Sequence, residues 1–133
     1  WIRRVDENKT SCYFSIYRQK FLGVVSVQTS SDGEADLGYW LDRGAWGQGF
    51  MSEAARATVS HAFRKFGFES ISSGAYEDNR ASMAILQKLG FEPDGEAMHD
   101  NPTRNCQVKC HRMRLTRSHF ENMFGSLETN VAA

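Results

Sequence analysis

Gly44, Gly47 and Gly49 crowd into six residues just ahead of an amphipathic run that begins near Met51. Glycines let a backbone approach a ligand closely and turn several N–H groups toward one point. The first turn of a helix adds unpaired N–H donors and about half a positive charge. Placed together, these make a cradle for a phosphate group that needs no basic side chain. Two familiar cradles are excluded. A Walker loop ends in Gly-Lys-Ser/Thr, and here Gly49 is followed by Phe50-Met51. A dinucleotide fingerprint needs a third glycine, where this chain has Ser52, and it follows a parallel strand, where the strands here read as antiparallel. The competing reading of the loop is a tight strand-to-helix turn with no ligand.

The elements around the loop read as follows. Residues 11–18 (SCYFSIYR) are rich in β-formers, Gln19-Lys20 is a two-residue turn, and residues 21–28 (FLGVVSVQ) are the returning strand. Residues 35–41 (ADLGYWL) form a third strand. Residues 51–66 place Ala55, Val59, Ala62, Phe63 and Phe66 on one helical face, and Gly67 ends the helix. Residues 69–76 are a strand. Asp78 or Asn79 caps a second helix, whose inner face carries Ser82, Ile85, Leu86 and Leu89. A short strand starts at Phe91, residues 106–116 form the last strand, and residues 118–127 a small tail helix packed on its own domain through Phe120, Met123, Phe124 and Leu127. Residues 1–9 read as the end of a helix. Antiparallel strands, helix, strand, helix and strands make a mixed α/β fold.

At 133 residues there is room for one domain. We expect it over residues 1–117, with a tail over 118–133. Sixteen basic and sixteen acidic residues cancel, so no polyanion binder working by bulk charge is expected, and no direct nucleic-acid partner. The longest nearly unbroken apolar run, residues 21–27, is too short to span a bilayer. No signal-type segment opens the sequence, so no membrane attachment and a cytoplasmic location are expected. Cys12, Cys106 and Cys110 are an odd number of cysteines, which fits free thiols. Cys106, Cys110 and His111 lack a fourth ligand and a second close pair, and His61, His99 and His119 are scattered, so no metal site is expected.

Three segments together resemble a known family. They are Asp36-Leu37-Gly38-Tyr39-Trp40-Leu41; Trp46-Gly47-Gln48-Gly49-Phe50 with Glu53-Ala54; and Asn79 with Ser82 and Leu89-Gly90-Phe91. In this order and at this spacing they resemble the GNAT superfamily of acyl-CoA-dependent N-acetyltransferases, and more closely its Rim-type ribosomal-protein N-terminal acetyltransferases. The likeness runs over residues 1–116. It implies a central, mostly antiparallel sheet with a splayed strand pair and flanking helices. It also implies a further strand and helix ahead of the part matched by Trp1, which form part of the acceptor wall and which the sequence as given lacks.

The resemblance further implies that the backbone of residues 47–51 holds the pyrophosphate of acetyl-CoA, the co-substrate. The pantetheine arm would lie between the strands ending at Leu41 and Tyr76, pairing with strand backbone as a surrogate strand would. Cofactor contacts are expected from Leu41, Trp46, Gly47, Gln48, Gly49, Phe50, Met51, Asn79 and Ser82. In close relatives the serine is the proposed acid that reprotonates the leaving thiolate, which makes Ser82 the candidate here. Plain local readings stand beside these: an N-cap for Asn79, a first-turn backbone hydrogen bond for Ser82, and loop or core packing for Trp46. Met51 stands where the family has a small residue, and a longer side chain there would crowd the phosphate.

The reaction is attack of a neutral amine on the thioester. At pH 7, freeing a terminal α-amine (pKa about 7.7–8.0) of its proton costs about 1 kcal/mol, and a lysine amine (pKa about 10.4) about 4–5 kcal/mol. No histidine lies in the motif strands, so Asp36 is the candidate catalytic base, with Glu34 beside it, acting through water. Asp36 stands where the family has glutamate, one methylene shorter. The plain reading of both acids, a solvated loop-strand junction like most surface carboxylates, stands ahead of the catalytic one. Backbone N–H groups near Tyr39 and Trp40 would meet the oxyanion. Arg43, Arg80 and Lys88 are candidates to steer the anionic coenzyme. Arg104, Lys109, Arg112, Arg114 and Arg117 are read as one wet face. The expected activity is therefore acetyl transfer to an amine, first a protein N-terminus, second a small amine such as a polyamine or aminoglycoside. A silent acyl-CoA-binding module is the competing class, and a homodimer is an open expectation.

Overall fold

Ile16, Val25, Val27, Leu37, Ile71 and Leu115 are all buried and fall at alternate positions of their strands, so one face of a sheet is apolar and needs cover. The structure is a computed structural model that describes residues 2–7, 11–29, 34–101 and 106–127, with side chains described at 11–29, 34–95 and 109–127. The strands are β1 (Ile2–Glu7), β2 (Cys12–Arg18), β3 (Lys20–Thr29), β4 (Ala35–Leu41), β5 (Ser70–Tyr76), β6 (Glu92–Asn101) and β7 (Cys106–Thr116). The helices are α1 (Phe50–Phe66), α2 (Arg80–Leu89) and α3 (Arg117–Phe124), with a 3-10 turn at Arg43–Ala45. One seven-stranded sheet runs in the order β1-β2-β3-β4-β5-β7-β6. The sheet and its helices make the mixed α/β arrangement expected of the family.

Every neighbouring pair is antiparallel except β4 and β5. A parallel pair needs a crossover, and α1 supplies it. The parallel pairing is short: only Ala35↔Ile71 and Asp36↔Ser72 are in register. Ser73 Oγ then donates to Leu37 O at 2.9 Å, and beyond that point the two strands part. This is the splayed pair, and it opens the sheet at its centre.

The apolar face is closed by the helices. Val59 and Phe63 of α1 and Leu86 and Leu89 of α2 join one buried cluster with the strand residues. Phe120 of α3 meets Phe63 with ring centroids 5.6 Å apart, so the C-terminal helix packs on this core. No helix among the described residues is long and apolar enough to cross a membrane.

Two local expectations are corrected. Residues 1–9 are not the end of a helix: Ile2–Glu7 is a strand paired antiparallel to β2. The strand after Phe91 is not short: β6 runs ten residues beside β7, with a register shift between Pro93 and Glu96.

Candidate active site

Where β4 and β5 part, a cleft of about 410 Å³ opens. Tyr39, Trp40 and Leu41 of β4 form one wall. Asn79, Ser82, Ile85 and Lys88, at and along α2, form the other. The turn into α1 closes its end, with Trp46, Gly47, Gly49, Phe50, Met51 and Ser52 all lining it.

That end has the electrostatics of an anion site. Gly49 sits at the N-cap of α1 with φ 80°, a left-handed conformation that costs glycine nothing. It has no side chain to cap the helix. The first intrahelical bond runs from Glu53 N–H to Gly49 O at 3.1 Å, so the N–H groups before Glu53 lie ahead of the helix's own acceptors. A Cβ built on Gly49 meets nothing within 4 Å, so the corner is open rather than plugged.

The loop is braced from within. Trp46 Nε1 donates to Leu41 O at 2.8 Å, tying the turn to the end of β4. Trp46 is otherwise exposed, with the Arg43 guanidinium 5.5 Å over its ring, so it is not a core residue. Asp42 Oδ2 accepts from Gly44 N–H at 3.3 Å. Gln48 turns its amide back to Gly44 O at 3.3 Å and is not among the residues that line the cleft. Met51 both lines the cleft and is buried in the core cluster.

Across the cleft, Asn79 caps α2, its Oδ1 accepting from Ser82 N–H at 3.0 Å. Ser82 Oγ lies 2.5 Å from Tyr39 Oη, and Tyr39 Oη lies 3.3 Å from Ser82 O. Burial holds the Tyr39 phenol above its ordinary pKa, and the bond to Ser82 offsets part of that rise. The phenol is therefore protonated throughout the neutral range. Tyr39 as a side chain was not anticipated from sequence. The signal was there, since alternation with Leu37 and Leu41 points it to the helical side of β4.

Asp36 stands apart from this group. It lies at the paired base of the fork, its Oδ1 accepting from Arg112 at 3.1 Å, and it does not line the cleft. Arg112 reaches it past Gly74, where an added Cβ would come within 2.9 Å of the guanidinium. Arg114 pairs with Asp94 at 3.0 Å and Glu34 at 3.6 Å. Arg117 donates to Phe63 O at 2.6 Å. Arg112 and Arg114 alternate with buried Met113 and Leu115 on a part-exposed face, all three arginines carry polar partners, and Arg104 lies outside the described residues. Lys88 lines the cleft, Arg43 sits at its edge over Trp46, and Arg80 is not among the lining residues. Cys12 and Cys110 are buried and not in a disulfide. Among the described residues no group of three or more His, Cys, Asp or Glu could share a metal ion, and Cys106 and His99 lie outside the described side chains.

The profile of the family described as "Acetyltransferase (GNAT) domain" matches residues 1–92. The probable N-acetyltransferase YjcK of Bacillus subtilis is 34% identical over 95 residues, covering 69% of this chain and 52% of that protein. The chain spans about half the length of the curated relatives it matches. The structure resembles the ribosomal-protein-S5-alanine acetyltransferase from Vibrio fischeri with a TM-score of 0.75 and 22% identity, over 84% of this chain and 64% of that one. It resembles spermidine N-acetyltransferase SpeG from Vibrio cholerae with a TM-score of 0.75 and 14% identity, over 88% and 72%. At these identities the two structures speak for the shared fold alone.

Proposed function

This chain belongs to the GNAT acetyltransferase family, and from that membership and the cleft we propose that it transfers an acetyl group from acetyl-CoA to an amine, with a protein N-terminal α-amine as the leading acceptor. The observation that carries the proposal is the coincidence of three features in one cleft: a sheet parted between β4 and β5, an uncapped helix N-terminus at its end, and a hydroxyl pair at its side.

The coenzyme diphosphate sits on the N–H groups of residues 47–51. Leu41, Trp46 and Phe50 border the pantetheine, whose amides pair with the free edge of β4. Asn79 holds α2 in place as its cap, and Ser82 presents its hydroxyl to the thioester sulfur. The amine attacks the carbonyl carbon, the C–S bond breaks, and the electron pair goes to sulfur. Backbone N–H groups near Tyr39 and Trp40 meet the oxyanion. Asp36, held by Arg112 outside the cleft lining, is the proposed carboxylate, taking the ammonium proton through a relay of waters rather than by contact with the amine.

Two arguments favour an α-amine. A water-relayed carboxylate suffices for a proton that costs about 1 kcal/mol to remove at pH 7, not for one that costs about 4–5 kcal/mol. A polyamine also calls for a cluster of acids, whereas Glu34, Asp36 and Asp94 carry guanidinium partners. Initial rates against pH, at saturating acetyl-CoA, check this. With a peptide bearing a free N-terminal alanine, the rate is expected to rise tenfold per pH unit and level off near pH 8. A spermidine rate higher at every pH would replace the α-amine as acceptor. Acetyl-CoA binding without turnover of any amine would leave a silent binding module.

A further inference from the structure

We propose that Tyr39 is a positioning residue for departure of the thiol: its phenol donates to Ser82 Oγ and so aims the serine's own proton at the sulfur. The inference rests on the acetyl-transfer reading of the cleft. Tyr39 comes from the strand and Ser82 from the helix, 43 residues apart, and their oxygens meet across the mouth of the fork at 2.5 Å. Both side chains line the cleft.

A phenol has one proton and two acceptors here: Ser82 Oγ at 2.5 Å and Ser82 O at 3.3 Å. Either oxygen of the close pair can donate, and we assign the phenol's proton to that bond. Ser82 N–H is already spent on Asn79 Oδ1. A first-turn serine often turns its hydroxyl back to a carbonyl of the preceding turn. An acceptor of growing negative charge in the cleft draws the proton outward instead, and two O–H groups in series polarise each other. Tyr39 and Lys88 are the ionisable side chains among the described residues lining the cleft. Burial keeps Tyr39 protonated, as this role requires. A phenol held above pKa about 10 is a weaker acid than a thiol of about 8.5. The pair therefore steadies the thiolate by hydrogen bonding, and the proton that sulfur finally takes is the one the amine gives up, carried through solvent.

A merely structural clip between β4 and α2 predicts different behaviour, which separates the two. Tyr39→Phe is expected to lower kcat about tenfold, with KM for acetyl-CoA changed less than about twofold. Ser82→Ala is expected to lose at least as much, and the double variant no more than Ser82→Ala, because the two act as one unit. Wild-type kcat in Tyr39→Phe, or losses that multiply, would overturn the proposal. A binding measurement needs no turnover: wild-type protein should prefer CoA over desulfo-CoA severalfold, and both single variants should bind the two equally. If CoA binds but no amine is acetylated, the transfer reading fails while this preference still tests the hydroxyl–sulfur contact. Equal affinity for CoA and desulfo-CoA in the wild type would overturn it.

Discussion

Gly49→Asp is expected to weaken acetyl-CoA binding at least a hundredfold while the protein stays folded. Two physical effects act together. The carboxylate would occupy the N–H groups that the diphosphate needs, since an aspartate at an N-cap satisfies those donors itself. It would also set a negative charge against the phosphates in a partly enclosed corner, where screening is weaker than in bulk water. The fold should tolerate the change, because a Cβ at Gly49 meets nothing within 4 Å. The cost to stability is the left-handed backbone at φ 80°, about 1–2 kcal/mol for a residue with a Cβ. Gly49→Ala carries that strain without the charge and should lose far less affinity. Calorimetric titration of the three proteins with CoA reads the difference. Equal affinity in the wild type and Gly49→Asp would remove the diphosphate from this corner.

The second large effect falls on stability. Gly23 of β3 lies flush against the end of β4: a Cβ there would sit 2.1 Å from Trp40 O and 2.9 Å from Leu41 Cα. Both are backbone atoms, so no side-chain rotation can relieve the clash. Glycine inside a strand commonly marks such a close approach. Gly23→Ala is expected to cost about 3 kcal/mol or more, at the upper end of what overpacking a core does. It should also weaken CoA binding, because Trp40 and Leu41 form one wall of the cleft. Urea unfolding gives the stability change. A loss below about 1 kcal/mol would show that β3 and β4 are less tightly apposed than described.

What could be read from sequence divides along physical lines. The strand Ala35–Leu41 is legible to the residue because apolar side chains recur at every second position (Ala35, Leu37, Tyr39 and Leu41), and the last strand Cys106–Thr116 because apolar and polar residues alternate along it except at His111-Arg112. Both principal helices were legible from three- and four-residue spacing and from their glycine ends. Ile2–Glu7 was misread because an edge strand is paired on one side only and tolerates charge, so IRRVDE carries no clear period. β6 was cut short because Pro93, Asp94 and Gly95 look like a turn, while pairing with β7 carries the strand across them.

The site divides the same way. Its glycine turn and helix start are local and were visible. Its partnerships are not. Asp36 and Arg112 lie 76 residues apart and meet only because β5 separates β4 from β7 by one strand. Tyr39 and Ser82 meet only because β4 and β5 part after two paired positions. Neither spacing nor composition encodes such meetings; the order of strands in the sheet does.

The claim on which the mechanism stands is that amide hydrogens at the start of α1 hold a diphosphate. Backbone amide chemical shifts during titration with CoA test it most directly, with pantetheine, which lacks the diphosphate, as the comparison. The account predicts that CoA gives its largest shifts at Gly47, Gly49, Phe50, Met51 and Ser52, and that pantetheine leaves these amides nearly unmoved while shifting those of Tyr39, Leu41 and Ser82. Amides at the start of α1 that stay still as CoA saturates the protein, or that move equally with pantetheine, would contradict it.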